Sequence, residues 1–306
     1  VATVREIKRH IRSVKNIAQV TRAMQMVAAS KMRRAQEQAL STRTYSHKAW
    51  ELLTHLASVV GKGEDEVHPL LQARPVQNIG LVVFTSDKGL CGGYNHNILR
   101  HAVAFLKEPE HPVKVITVGR KGRDFMLRMG VHLTAEFSGI PALPGLNDVL
   151  PIARLILDDY TEGVYDLVFL AYTDFVNTLV QRPVIRRLLP IVPAEGVDVQ
   201  TLGEYLPTGP TVAIPEYIYE PDARSVLAEI LPRFTELQVY QAMLEAVASE
   251  HSARMVAMRN ATENANDYLQ NLTLSYHRAR QTAITKEMLD IAGGAEALAK
   301  AEHAWV

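Results

Sequence analysis

The distribution of proline and glycine constrains this chain more than any other feature. All fifteen prolines of the 306 residues fall between Pro69 and Pro232, and no glycine occurs in 1–60 or 210–292. Both residues disfavour a helix interior, proline by about 3 kcal/mol and glycine by about 1 kcal/mol relative to alanine. Two long segments without them, flanking a middle rich in both, read as helix, globular insert, helix. The boundaries fall at 1–60 for the first helix, 75–205 for the insert and 222–304 for the last helix.

Hydrophobic periodicity agrees. In the first segment Val4, Ile7, Ile11, Val14, Ala18, Thr21, Gln25, Ala28, Met32, Ala35 and Ala39 alternate three and four residues apart, a heptad seam. The last segment repeats the spacing through Leu237, Tyr240, Leu244, Val247, His251, Arg254, Met258, Ala261, Ala265, Tyr268, Leu272, Ser275 and Ala279. Two matching seams on one chain pair as an antiparallel coiled coil. About 55 and 72 residues of these segments, at 1.5 Å per residue, run roughly 80 and 110 Å. A single globule of this length has a radius of gyration of only about 19 Å, so the helices extend beyond it. The last helix outruns the first by about 17 residues, or roughly 25 Å, at an end that holds Gly293 and Gly294.

Within the insert the period changes. Strands are expected at Val76–Ser86, Val113–Gly119, Val131–Phe137 and Asp166–Tyr172, with helices at 97–107, 120–129 and 146–160. That alternation defines a Rossmann-like α/β domain with a parallel sheet. The Pro-rich stretch 206–221 leads back into the long last helix.

The loop TSDKGLCGGYN (85–95) follows the first strand, where an α/β fold would cradle a phosphate. Its glycine spacing matches neither the dinucleotide fingerprint nor the G-x-x-x-x-G-K-[ST] loop, which favours a tight structural turn. Nothing ties a histidine to Cys91 as a catalytic base, and the eleven histidines show no metal-ligand spacing. Catalytic, cofactor and metal residues are therefore expected to be absent. One cysteine excludes an intramolecular disulfide and fits a reducing compartment. Apolar runs are far shorter than the roughly 20 residues of a membrane span.

Charge is zero overall but uneven: residues 1–48 carry eleven Lys/Arg and two acids, for +9. The basic face Arg5, Lys8, Arg9, Arg12 and Lys15 reads as a solvated face, a nucleic-acid or lipid contact, or a contact with an acidic protein. Ile17, Val20, Met24 and Val27 form a second apolar stripe, suited to the α/β domain or to a separate protein.

Three blocks resemble the gamma subunit of F-type ATP synthases. They are IKRHIRSVKNIAQVTRAMQMVAASKMRRAQ (7–36), the TSDKGLCGGYN turn, and SEHSARMVAMRNATENANDYLQNLTLSYHRARQTAITKEMLDIAGGAEA (249–297). The resemblance implies a central rotor. Its paired terminal helices form a shaft inside three alpha and three beta subunits, and its insert sits beside epsilon on the membrane c-ring. Catalysis then lies in the beta subunits, which the turning shaft drives through different nucleotide affinities. Carried over residue by residue, shaft contacts with alpha and beta fall on Met24, Arg254, Gln281, Thr285 and Glu287. Arg254 lies on the seam, and the first helix offers only Glu6 and Glu37 as acids, so a hydrogen bond to a beta subunit is expected. The plastid-type cysteine pair is absent and no transit peptide is read. The resemblance thus implies a peripheral protein on the cytoplasmic face of a bacterial plasma membrane. The competing readings are an α/β small-molecule enzyme dimerised by its coiled coil, and a nucleic-acid or membrane adaptor.

Overall fold

A computed structural model describes residues 3–60, 68–191 and 219–303. Helix α1 spans Val4–Val60. Thr3 and Glu6 start it as a reciprocal capping box: Thr3 N–H donates to the Glu6 carboxylate at 2.8 Å, and Glu6 N–H to Thr3 Oγ1 at 3.3 Å. The insert follows as β1 (Ile79–Phe84), α2 (Tyr94–Leu106), β2 (Val113–Val118), α3 (Arg120–Arg128), β3 (Leu133–Phe137), α4 (Leu146–Thr161), β4 (Leu167–Phe175) and β5 (Gln181–Leu189). Helix α5 then runs through Ala223–His303. Asp222 caps it, accepting from Arg224 N–H and Ser225 N–H. Of the Pro-rich stretch 206–221, the part up to 218 lies outside the described residues.

The residues divide into two compact units, one from the chain up to Val27 and from Met255 onward, the other Ala28–Arg254. In the first unit α1 and α5 meet along the predicted seam, and Thr21 Oγ1 hydrogen-bonds Thr262 Oγ1 at 2.7 Å. In the second, Gln38 Nε2 donates to the Tyr240 hydroxyl at 2.7 Å. Residue numbers rise on α1 as they fall on α5, so the helices are antiparallel.

Every predicted seam position of α1 from Val4 to Ala39 is buried or half-buried. On α5 the seam departs from expectation at two places. Tyr268 and Ser275 are exposed, while Leu269 and Tyr276 are half-buried in their stead. Both choices alternate three and four residues; they differ only in where the four-residue step falls, which an α-helix of 3.6 residues per turn leaves open. From Arg280 to Ala295 every residue of α5 is exposed, so the unpaired end begins close to where the length difference put it.

The sheet belongs to the second unit, with strand order β3-β2-β1-β4-β5. β1 pairs in parallel with β2 and β4, and β2 with β3. The fifth strand corrects the expectation of a purely parallel sheet, because β5 runs antiparallel to β4. Three arginines and Pro183 hide it in the sequence, QRPVIRRLL. An edge strand tolerates both, since charge deters edge-to-edge pairing and a missing N–H matters least there.

β1 is buried throughout, and its alternate side chains serve opposite faces. Leu81 and Val83 pack with Ile98, Leu99 and Ala102 of α2 and Met126 of α3. Val82 and Phe84 face α4 together with Ala35 and Ala39 of α1 and the first half of α5.

At the end of β1, Thr85 Oγ1 donates to Val118 O at 3.0 Å and accepts from Gly122 N–H at 2.9 Å, tying β1 to the β2–α3 turn. Gly119 makes that turn with φ +103°, and a Cβ there would stand 2.2 Å from Thr85 O. Gly119→Ala is expected to destabilise the chain by about 2 kcal/mol or more through combined strain and clash. Gly130→Ala, at positive φ but in open space, costs about 1–2 kcal/mol. Denaturant melts of the two variants check this, and equal midpoints would contradict it.

Candidate functional site

The 85–95 loop spends its polar groups on the fold. Ser86 Oγ donates to Lys88 O at 2.7 Å, and Asn95 bridges Ser86 by accepting from its N–H at 3.0 Å and donating to its Oγ at 2.7 Å. The Asp87 carboxylate accepts from Arg120 N–H at 2.9 Å and Gly139 N–H at 2.8 Å, joining the β1–α2 loop to the two loops beside it. Cys91 is buried against Ser86 and Asn95, and burial pushes its thiol pKa up, the opposite of an activated nucleophile. The structural-turn expectation fits this geometry.

Strand order reverses between β1 and β4, the switch point at whose carboxyl ends an open α/β sheet binds ligands. Here the chain's own α5 occupies that place. Ser249 Oγ donates to Thr173 O of β4 at 2.9 Å. Ser252 Oγ donates to Thr178 O, in the β4–β5 turn, at 2.9 Å. His251 Nε2 lies 3.2 Å from Ala142 O in the β3–α4 loop. Arg254 Nη2 donates to Lys88 O at 3.3 Å and Gly89 O at 3.2 Å, so the loop turns carbonyls, not phosphate-binding N–H groups, to the helix. Among the described residues no cluster of His, Cys, Asp or Glu is arranged to hold a metal.

Arg254 does not use the acids that the sequence offered on α1. Its Nη1 donates to Glu250 Oε1 at 2.7 Å, one turn earlier on its own helix, and lies 3.3 Å from His251 Nδ1. Its side chain is 11% exposed. A Glu four residues before an Arg is a readable helix pairing, and reading the seam alone passed over it. Ser249, Glu250 and Ser252 were likewise unassigned, and His251 was read only as a seam position; the signal was a polar run on a helix otherwise rich in alanine, valine and methionine. Burial pushes the Glu250 pKa up, and Arg254 opposes that rise.

The other expected contact residues lie in the first unit. Met24 is half-buried on α1, while Gln281, Thr285 and Glu287 are exposed on α5. Gln281 and Thr285, four apart, share a face with Arg278, Thr282 and Leu289; Glu287 points elsewhere round the helix. Beside Met24, Ile17, Val20 and Val27 are exposed.

The fold is that of a long antiparallel helix pair joined to an α/β domain whose switch-point crevice is filled by the chain's own helix. The family model described as ATP synthase matches residues 3–298. The ATP synthase gamma chain of Dehalococcoides mccartyi is 51% identical over 298 residues, covering 97% of this chain and 100% of the relative. That of Roseiflexus sp. is 49% identical over 303 residues, 97% of this chain and 99% of the relative. A solved Tetrahymena thermophila mitochondrial ATP synthase central stalk and c-ring aligns at TM-score 0.59 and 27% identity, over 79% of this chain and 99% of that one. A Euglena gracilis mitochondrial ATP synthase chain aligns at TM-score 0.63 and 18% identity, over 96% of this chain and 94% of that one, which shows the fold. The chain belongs to the ATP synthase gamma chain family.

His251 gives the joint a pH signature. It is 5% exposed, and burial pushes its pKa down to about 4; the Ala142 carbonyl opposes this, and the Arg254 and Lys31 charges add to it. The unfolded imidazole protonates near 6.5, so between that pH and about 4 the unfolded chain binds more protons. Stability from this group is therefore complete above pH 6.5 and falls as pH drops towards 4. Glu250, shifted upward, acts with the opposite sign but is common to native chain and variant. His251→Gln keeps a donor for Ala142 and should lose less stability between pH 7 and 4.5 than the native chain, by on the order of 2 kcal/mol. Melts at both pH values test this; parallel losses would contradict it.

Proposed function

We propose that this chain is the turning shaft of a proton-coupled ATP synthase and carries no catalytic group of its own. The observation that supports it most is the bare end of α5. Ile284, Met288, Leu289 and Ile291 are 46%, 63%, 66% and 68% exposed on a helix stretch with no seam partner. Large apolar side chains so exposed call for an enclosing body. A sleeve of three alpha and three beta subunits supplies one, with ATP made or hydrolysed at the beta subunits. Met24, Gln281, Thr285 and Glu287 are the proposed contacts with that sleeve. Arg254 joins them through a hydrogen bond to a beta subunit at one rotary position. The α/β domain faces epsilon and the c-ring. Among the described residues no helix is long and apolar enough to cross a membrane, and attachment to the cytoplasmic face of a bacterial plasma membrane comes through those partners.

The purified chain is expected to turn over no ATP, whereas the chain assembled with alpha and beta subunits does. Hydrogen exchange should find residues 280–295 unprotected in the isolated chain and protected by at least tenfold in the assembly. ATP turnover by the isolated chain, or equal exchange in both states, would count against the proposal.

A further inference from the structure

The contacts of Ser249–Arg254 differ in kind from the rest of the helix packing around them. The α5 face leading up to this segment is apolar: Leu231, Phe234, Val239 and Leu244 belong to the same core as the sheet. Apolar contact is non-directional. It holds the helix against the sheet while a small rotation of the helix about its own axis changes little of the area kept from water. A hydrogen bond is directional and fails within a few tenths of an ångström and some tens of degrees, so it fixes azimuth and axial register.

At this level α5 makes such bonds to three separate loops and to the end of a strand: Thr173 O from Ser249, Thr178 O from Ser252, Ala142 O from His251, and Lys88 O and Gly89 O from Arg254. The acceptors come from both sides of the switch point, so they oppose rotation in either sense. Ser249 and Ser252 are fully buried. Pro183 stands opposite Thr173 in the ladder and has no N–H to give, and the Thr173 carbonyl takes the Ser249 hydroxyl. A second tie sits on α1: Gln38 donates to the Tyr240 hydroxyl at 2.7 Å, and that hydroxyl donates to Pro144 O at 3.3 Å, in the same loop as Ala142. The helix pair is thus pinned to the α/β domain by carbonyls at the carboxyl edge of its sheet.

We propose that this set of bonds is the torque-bearing joint, through which a turning moment on the α/β domain is passed to α5. The inference rests on the chain being a rotor. Ser249 and Ser252 are positioning residues in it: they set the rotary angle between domain and helix and touch no nucleotide. Because α5 continues unbroken past Arg254, an angle fixed here is delivered along one covalent helix.

The test uses the whole synthase from the same source, reconstituted in sealed vesicles, with ATP hydrolysis and ATP-driven proton uptake measured on the same preparation. Ser249→Ala with Ser252→Ala should assemble and hydrolyse ATP within about twofold of native, while protons moved per ATP fall at least fivefold. Ser249→Thr with Ser252→Thr keeps both hydroxyls and should restore the ratio. A native ratio in the alanine variant would overturn the proposal. So would hydrolysis and pumping falling together with a matching loss of melting temperature in the isolated variant chain, since the bonds would then serve folding alone. A native chain that never assembles with alpha and beta subunits would instead overturn the rotor reading, so the two failures are distinct.

Discussion

The contact between the Ser249–Arg254 segment of α5 and the carboxyl edge of the sheet organises the second unit of this molecule. It decides what the α/β domain is for. Open sheets with strand order reversing between two central strands leave a crevice there, and in enzymes that crevice takes a ligand. Here it takes two serine hydroxyls, an imidazole and a guanidinium from the chain's own helix. The Gly-rich loop follows the same logic. Its carbonyls are turned to Arg254, and its Asp87 carboxylate ties neighbouring loops together.

Charge in this joint is balanced locally. Arg254 and Glu250 are both largely withdrawn from water, and a pair so placed costs desolvation that only good geometry and further hydrogen bonds offset. Arg254 meets that condition with one carboxylate oxygen, two backbone carbonyls and the free nitrogen of His251. A neutral His251 completes the arrangement, since a second cation beside Arg254 would be repelled. Such a pair is weak as a source of stability and strong as a source of specificity: few helix positions satisfy all its members at once.

Much of this was legible in the sequence because it rests on local rules. Segments poor in proline and glycine read as the two long helices, although Pro232, Gly293 and Gly294 lie inside α5; β1, β2 and β4 are mostly apolar and β3 alternates. The seam of α1 reads directly. What was hidden depends on distant partners. β5 carries Pro183 and three arginines that only an edge position permits, and its pairing with β4 is not encoded in its own pattern. On α5 the seam shifts from Tyr268 and Ser275 to Leu269 and Tyr276, a choice between two equally periodic sets that the facing helix decides. Arg254 looked unpaired because acids were sought across the seam. Its acid stands one turn away on the same helix, and its other partners are backbone carbonyls, which no side-chain pattern reveals.

As a turning shaft, the chain carries its α/β domain round while the assembly hydrolyses ATP. Single-molecule rotation tests it most directly: the assembly is fixed through its beta subunits, and a bead is attached to an exposed residue of α3, on the α/β domain. With ATP supplied, the account predicts one-way rotation of the bead in three equal steps per turn, one for each beta subunit. Steady ATP hydrolysis with a bead that only fluctuates about a fixed angle would contradict it.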